Sequence, residues 1–536
     1  MKKQVQIIVT LALVLSMLLS AAPLSAVAEE RPKITVTIYD RGKVPASEGT
    51  IEENRWTRWI NENGPVDVEF VAIPRTNSGD KLYVLFASGT APDLVFEYSP
   101  AVRSTLYQQG QLMPLSEALE KYSTTYKERA EKYPNILAAG LMEDGELYGL
   151  GKINTSNFTR CVLIRQVWLD NLGLEIPQTL EELRNVCRAF CEDDPDGNGQ
   201  KDTYAMAMSY RANESFNQMI YGETIMEGDG EMRYGWDDIA RRLEFKKWLY
   251  DNGYIDREYM SDTNGANAMQ SFLNGKTGIL PWLTSLDRNW ALGDFTTFKK
   301  NVPEGKLAVM GYPEIDGVRY MPTLTNPAQI TCFVNASTKN LEAVLQYVDF
   351  ACSKEFAMAF TYGLEGEHYE MVDGMPVITD TEKFAAEVGW AGDFSMLKSA
   401  ETLAEYQSTT EGFDLSNPIE AEAYQLRKDA LALYLNPELK YPGLTHSEHM
   451  PQLPEDLSMI NANINLNQFY DRAVVGGTDY TVEMAMEDAK NTWTQGGGDQ
   501  IMAWWQDWYA NDRDNAFLAE DMYAIVMPGN PLNYLQ

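Results

Sequence analysis

The feature that most narrows the possible fold is a rhythm between residues 33 and 96. Residues 33–40, Lys-Ile-Thr-Val-Thr-Ile-Tyr-Asp, alternate apolar and polar side chains, which is the period of a strand. A helical stretch follows, with Ile51, Trp56, Trp59 and Ile60 on one side, and Gly64-Pro65 ends it. Val66 to Ile73 reads as a second strand. Leu82 to Ala87 reads as a short apolar helix closed by Ser88-Gly89, and Asp93 to Phe96 as a third, buried strand. The order strand, helix, strand, helix, strand implies an α/β fold with a parallel sheet and helices on both faces. Ligands of such sheets bind beyond the carboxyl ends of the strands. Here those ends are Tyr39-Asp40-Arg41 and Glu97-Tyr98-Ser99.

The sharpest chemistry lies further on, in Asp194-Pro195-Asp196-Gly197-Asn198-Gly199-Gln200-Lys201-Asp202. Asp194, Asp196, Asn198 and Asp202 fall on the 1-3-5-9 ligand pattern of a calcium loop. Gln200 would offer its backbone carbonyl, and Gly199 permits the sharp turn. Position 12 is Ala205 rather than a bidentate Glu, so further ligands must come from water, Thr203 or elsewhere. The residues that follow, Thr203 to Met208, read as a strand. The expectation is a structural calcium staple between a helix and a strand, not a sensor; the plain alternative is a solvated turn without metal.

The chain has 536 residues, enough for two to four domains. Residues 1–28 read as a secretion signal: Lys2 and Lys3, an apolar run from Ile7 to Leu19, and a small-x-small cleavage site at Ala26-Val27-Ala28. No cysteine stands in or just after this signal, so no lipid-anchor site is expected. Without Lys2 and Lys3, 42 basic residues face 78 acidic ones. So acidic a surface repels nucleic acid and anionic membranes. It also disfavours a polyanionic ligand unless a local basic pocket overrides it. The five cysteines are too few for a disulfide scaffold. Cys187 and Cys191, one helical turn apart, are expected to face the core; Cys332 and Cys352 could pair.

The segment Gly151 to Phe158 is polar and extended, as a crossing between lobes would be. Thr179 to Glu182 is a capping box, opening a helix whose stripe is Leu180, Leu183, Cys187 and Phe190. Phe272 to Trp282 reads as a helix end, a glycine turn and a strand finishing on an aromatic. Gln329 to Val334 reads as a strand, and Leu341 to Cys352 as a periodic helix. The tail looks mainly helical. Enzyme signatures are weak: there is no Gly-x-Ser-x-Gly elbow and no phosphate-binding loop. His446 and His449 lack a visible third ligand.

Several short motifs occur together in a fixed order. They are Ala87-Ser-Gly-Thr-Ala-Pro-Asp-Leu-Val95, Gly145-Glu-Leu-Tyr-Gly-Leu150, Arg165-Gln-Val-Trp-Leu-Asp-Asn-Leu-Gly-Leu174, Phe272 to Gly278 and Tyr362-Gly-Leu-Glu-Gly-Glu-His-Tyr369. With these the chain, from about residue 30 onward, resembles the extracellular solute-binding proteins, family 1, of sugar-importing ABC transporters. It is most similar to the oligosaccharide- and alginate-binding subgroup, whose members also carry an Asp/Asn calcium loop after the Trp-Leu-Asp helix. The resemblance implies a two-lobed periplasmic-binding-protein clamp, each lobe a mostly parallel sheet flanked by helices, with the ligand in the cleft between them. The expected division is 29–155 for lobe 1, to which about 325–385 returns, and 156–324 for lobe 2, on which about 386–536 packs. The implied role is capture of an oligosaccharide by lobe closure and delivery to a membrane permease. The protein is expected to be a monomer in the extracellular or periplasmic space, associated with the cell envelope.

Sugars present apolar faces and many hydroxyls, so a site needs aromatic platforms beside carboxylates, amides and arginines. Position singles out Asp40, Arg41, Glu97 and Tyr98 at strand ends, and Asn157 in the inter-lobe stretch. It also selects Tyr210 after the post-calcium strand, Trp282 at a strand end, and Glu365 in the Gly-Leu-Glu-Gly turn. A strand-end aromatic such as Trp282 is where the resemblance places sugar stacking. Two other readings stand beside the receptor: a peptide-binding or sensor-accessory receptor, and a secreted, calcium-stabilised carbohydrate-active enzyme.

Overall fold

In the computed structural model, residues 31–513 are described, except 155–156, 221–224, 229–230, 321, 323, 326–327, 407–409 and 437–452. The expected secretion signal and the His446/His449 pair lie outside the described residues.

The first lobe opens with β1 (Lys33–Asp40), α1 (Arg55–Asn63), β2 (Asp67–Pro74), α2 (Ser78–Ala87), β3 (Leu94–Phe96) and α3 (Pro100–Gln108). The lobe's outgoing strand is β4 (Gly149–Ile153). Local chemistry explains these boundaries. Asn54 and Thr57 form a reciprocal cap at the start of α1, and Trp56 and Ile60 on its inner face are fully buried. The chain then builds a second lobe from β5 (Cys161–Arg165), α4 (Leu180–Glu192), β6 (Tyr204–Met206), α5 (Ala266–Leu273), β7 (Thr277–Leu283) and β8 (Leu307–Met310). The Thr179/Glu182 capping box opens α4 as its sequence predicts. The chain returns through β9 (Ala328–Val334), followed by α6 (Leu341–Ala351) and α7 (Lys354–Tyr362). Helices α8 (Pro418–Tyr434), α9 (Asn467–Val475), α10 (Val482–Gly496) and α11 (Gly498–Asp512) make up most of the described tail.

The first sheet has the order β2-β1-β3-β9-β4, and the second β8-β5-β7-β6. Neither is mostly parallel. In the first, β1 pairs parallel with β2 and β3, while β9 is antiparallel to both neighbours. In the second, β6 and β7 are parallel and β5 is antiparallel to β7 and β8. The reason is topological. Strands β5 and β9 carry the chain into each lobe from the crossing, so they run against the strands that lead back to it. Every other strand of both sheets ends toward the crossing, so the strand ends where such sheets bind ligands face it.

Two separate apolar cores result. One runs from Ile34 to Ile153 and continues with Cys332 to Leu397; the other runs from Phe158 to Leu324 and continues with Phe413 to Ile501. The outgoing and returning chains meet between them. Phe158 bridges antiparallel to Leu324, and the Thr325 N–H donates to the Asn157 carbonyl at 2.7 Å. Two details differ from expectation. Gly151 to Ile153 is not linker but part of buried β4, because this stretch pairs with β9 and Ile153 packs into the first core. The chain from 386 to 397 packs on the first lobe, where Val388, Ala391, Phe394 and Leu397 are buried; the tail reaches the second lobe only from Phe413 onward. Tyr434 then ties α8 to that sheet, donating to the Met310 carbonyl at 2.7 Å and accepting from the Val162 N–H. All five cysteines are buried and unbridged. No described helix is long and apolar enough to cross a membrane.

Candidate functional site

The strand ends of the first lobe bring together residues far apart in the chain. Tyr39, at the end of β1, is buried, and Tyr98, just past β3, stacks on it with ring centroids 6.0 Å apart and an 18° interplanar angle. Burial pushes both phenols up, Tyr98 to about 12. Three cations border this pair. Arg75, the residue after β2, lies 4.9 Å from the Tyr39 ring centre and 5.8 Å from that of Tyr98. Arg41 lies 5.9 Å from Tyr39, and Lys152 of β4 lies 6.0 Å from Tyr98. Lys398 stands beside Lys152 and donates to the Thr361 hydroxyl at 2.9 Å. Glu97 is 2% exposed. One of its oxygens accepts from the Ser99 N–H at 2.8 Å; the other, Oε2, has no hydrogen-bond partner among the described residues.

The candidates read from sequence take different parts here. Arg41 makes a fork-like pair with Asp393, Nη2 donating to Oδ1 at 2.9 Å. Asp40 is exposed and closes its own turn by accepting from the Gly42 N–H at 2.8 Å. Arg75, Lys152, Asp393 and Lys398 were missed. Arg75 follows β2 as Arg41 follows β1, so the strand-end rule reaches it. Lys152 reads as linker until β4 is known, and nothing in the sequence ties Asp393 or Lys398 to this lobe.

The second lobe offers a smaller wall. Trp282, near the end of β7, is mostly buried, and its Nε1–H donates to the Ala207 carbonyl at 3.1 Å. Its ring passes so close to Gly265 that a Cβ there would lie 3.0 Å away, and Gly265 also holds φ +80°, so only glycine fits. Arg211 lies 5.8 Å from the Trp282 ring centre, and neighbouring Tyr210 is 50% exposed. Asn157 sits in the crossing itself: its N–H donates to the Thr325 hydroxyl at 3.0 Å, and its Oδ1 accepts from the Phe158 N–H. Glu365 is exposed in a tight turn bridged to Tyr369, beside a separate cluster of charges.

That cluster is Glu367, His368 and Glu387, whose ligand atoms lie close enough to hold a metal ion. It is already satisfied without one. The buried His368 accepts from the Leu364 N–H at Nδ1 and faces Glu387 through Nε2 at 3.1 Å. Arg55 pairs with Glu48, Glu367 and Glu387, and Lys383 with Glu367.

The Asp194–Asp202 loop joins α4 to β6, as its position between a helix and a strand requires. Gly199 takes φ +78° and turns the chain back. Its N–H and that of Asn198 donate to Asp194 at 2.9 and 3.0 Å. The Asn198 side-chain amide stands between Asp196 and Asp202, at 3.0 and 3.2 Å. Asp202 also pairs with Lys276, which holds its carboxyl below the usual value. Three carboxylates thus converge on Asn198 and Gly199, Asp194 on their N–H groups and Asp196 and Asp202 on the Asn198 amide, a set of oxygens suited to a hard cation. Gln200 is exposed, with its N–H on Asn198 Oδ1. Thr203 is turned away: its hydroxyl donates to the Phe190 carbonyl at 2.6 Å, inside the core. It is therefore not available as the extra ligand.

Comparison with known proteins places these features in context. A family model for bacterial extracellular solute-binding proteins matches residues 59–366. The chain is 26% identical over 460 residues to Lipoprotein LipO of Bacillus subtilis (strain 168), covering 81% of this chain and 85% of LipO. It is 24% identical over 373 residues to the polygalacturonan/rhamnogalacturonan-binding protein YtcQ of the same organism, 65% of this chain and 69% of YtcQ. The Streptococcus pneumoniae ABC-transporter substrate-binding protein FusA, solved as an EF-hand mutant in complex with fructo-nystose, matches at a TM-score of 0.60 and 16% identity. That match covers 90% of this chain and all of FusA.

Proposed function

This chain belongs to the bacterial extracellular solute-binding proteins, and on that premise we propose that it is the oligosaccharide receptor of an ABC importer. It captures its ligand between the lobes and hands it, on closure, to the membrane permease. It is a binding protein, not an enzyme. The observation that carries this reading is the pair of strand-end walls. In the first lobe the half-buried Tyr98 has Arg75 beside it; in the second, Arg211 lies near the mostly buried Trp282 and next to the exposed Tyr210. An aromatic face for sugar C–H groups and fork donors for hydroxyls is what oligosaccharide binding requires. The names of YtcQ and FusA support a sugar ligand. They name an acidic polymer and a neutral fructan, so kinship leaves the charge of the ligand open.

A calcium ion in the Asp194–Asp202 loop belongs to the same proposal. Asp194, Asp196, Asn198, Asp202 and the Gln200 carbonyl would hold it, and it would fasten α4 to β6. The loop adjoins the α5–β7 turn through Lys276 rather than either wall, which supports a structural role.

The test is a thermal-shift screen of the protein against mono- and oligosaccharides and peptides, with and without a chelator. Binding to the native state raises the midpoint by mass action. A shift with one glycan class, recovered intact, is the expected result. Shifts with peptides alone would transfer the receptor to peptide transport, and a cleaved glycan would make it an enzyme.

A further inference from the structure

The chain carries 78 acidic residues against 44 basic ones, so a surface cation readily finds a carboxylate. Lys33 pairs with Glu69, Lys127 with Glu120 and Lys354 with Glu405. At the strand ends of the first lobe this fails. Among the described residues, Arg75, Lys152 and Lys398 have no carboxylate within ion-pair distance, although Arg75 and Lys152 flank the Tyr39–Tyr98 stack. Lys152 and Lys398 are also half-buried, and the charge of Lys398 acts on Lys152. Burial lowers the proton affinity of both, and their mutual repulsion lowers that of Lys152 further. Asp393, the carboxylate that acts on Lys152, is already held in the fork of Arg41, so these half-buried ammonium groups are left with an incomplete counter-charge in the unliganded protein. An anion entering from the cleft would complete it.

The same wall asks for more than an anion. The half-buried Tyr98 ring offers a platform for an apolar sugar face. A planar carboxylate suits the guanidinium fork of Arg75. One molecule that brings a carboxylate, hydroxyls and an apolar ring face together is a uronic acid. We infer that this receptor takes an anionic oligosaccharide containing uronic acid units, selected by Arg75, Lys152 and Lys398. The inference deepens the receptor reading and rests on it.

The test is calorimetric titration of the whole protein with tetragalacturonate, its fully methyl-esterified form, a neutral glucan of equal length and a sulfated tetrasaccharide. Each titration is run at low and high salt. The ester removes the charge and adds a methyl group, and the neutral glucan and the salt dependence separate charge from bulk. The uronate is expected to bind at least about tenfold more tightly than its ester, the worth of one charge-assisted contact. That advantage should shrink at high salt and disappear in Lys152→Gln. If the ester or the glucan binds as well as the acid, the receptor reading stands and the inference of a charged ligand falls. If the sulfated sugar binds more tightly than the uronate, the carboxylate assignment is overturned. If no sugar binds at all, the receptor reading falls and takes this inference with it.

Discussion

The Asp194–Asp202 loop and the strand-end wall of the first lobe are both clusters of charge, built in opposite ways. The loop is nine consecutive residues. Its carboxylates are answered on the spot by the Asn198 and Gly199 N–H groups, the Asn198 amide and Lys276. The wall is gathered from residues 39–41, 75, 97–98, 152, 393 and 398, and among the described residues its one ion pair is that of Arg41 with Asp393. A cluster that satisfies itself needs nothing more than the fold. One that stays only partly compensated beside an aromatic stack is arranged for something that arrives later. The loop therefore belongs to stability and the wall to recognition, and experiments should separate the two.

The largest expected effect is on recognition. Arg75→Ala combined with Lys152→Gln should cost roughly a hundredfold in affinity for an oligouronate, two charge-assisted contacts at about tenfold each. The melting temperature should fall little, because the mutual repulsion of Lys152 and Lys398 is also removed. An equal loss for neutral sugars, seen by calorimetry, would erase the distinction between charge and stacking. Trp282→Phe should show the reverse pattern. It removes the hydrogen bond to Ala207 and part of the stacking face, so affinity should drop about tenfold for charged and neutral sugars alike.

On the stability side, Asp196→Asn should lower the midpoint measured with calcium while leaving the chelated midpoint nearly unchanged. A loss of about 2 kcal/mol corresponds to roughly 4–8 °C for a lobe of this size. Sugar affinity of the folded protein should not move; a large loss would join the loop to the cleft. Lys276→Met should do the opposite, lowering the chelated midpoint more than the loaded one, since without calcium Lys276 is the cation paired with Asp202.

The smallest expected effect concerns Lys246, buried between Asn213 and Asn217 and pushed down to about 7, first by burial and then by Arg242. Its native proton affinity is below that of the unfolded chain, so unfolding takes up a proton above pH 7. Stability should therefore rise with pH from about 7 toward 9, and Lys246→Met should flatten that rise in pH-dependent thermal melts. The wall has its own pH signature. Lys152 and Lys398 are both shifted below the ordinary lysine value, so uronate affinity should decline at a pH below that value, with no such decline for a neutral sugar.

Much of the scaffold is legible in the sequence, because strand alternation, the Asn54 and Thr179 caps and the Gly64 stop act over a few residues. The loop is legible for the same reason: ligand spacing along one turn of chain is local information. What escapes is set by the crossing. Nothing near Gln329 says that β9 inserts antiparallel between β3 and β4, and without that insertion Lys152 looks like linker. Asp393 reaches Arg41 across 352 residues of chain, through a segment expected on the other lobe. The wall is thus legible in sequence only at the strand ends, Asp40 and Arg41, Arg75, and Glu97 and Tyr98, and invisible at Lys152, Asp393 and Lys398.

The central claim is a clamp that closes on sugar. Small-angle scattering of the calcium-loaded protein, alone and saturated with the glycan that gives the largest thermal shift, tests it directly. The account predicts a smaller radius of gyration in the saturated sample, with the sugar recovered uncleaved. An unchanged radius at proven saturation would contradict it, and would place the ligand on a single lobe rather than between the two.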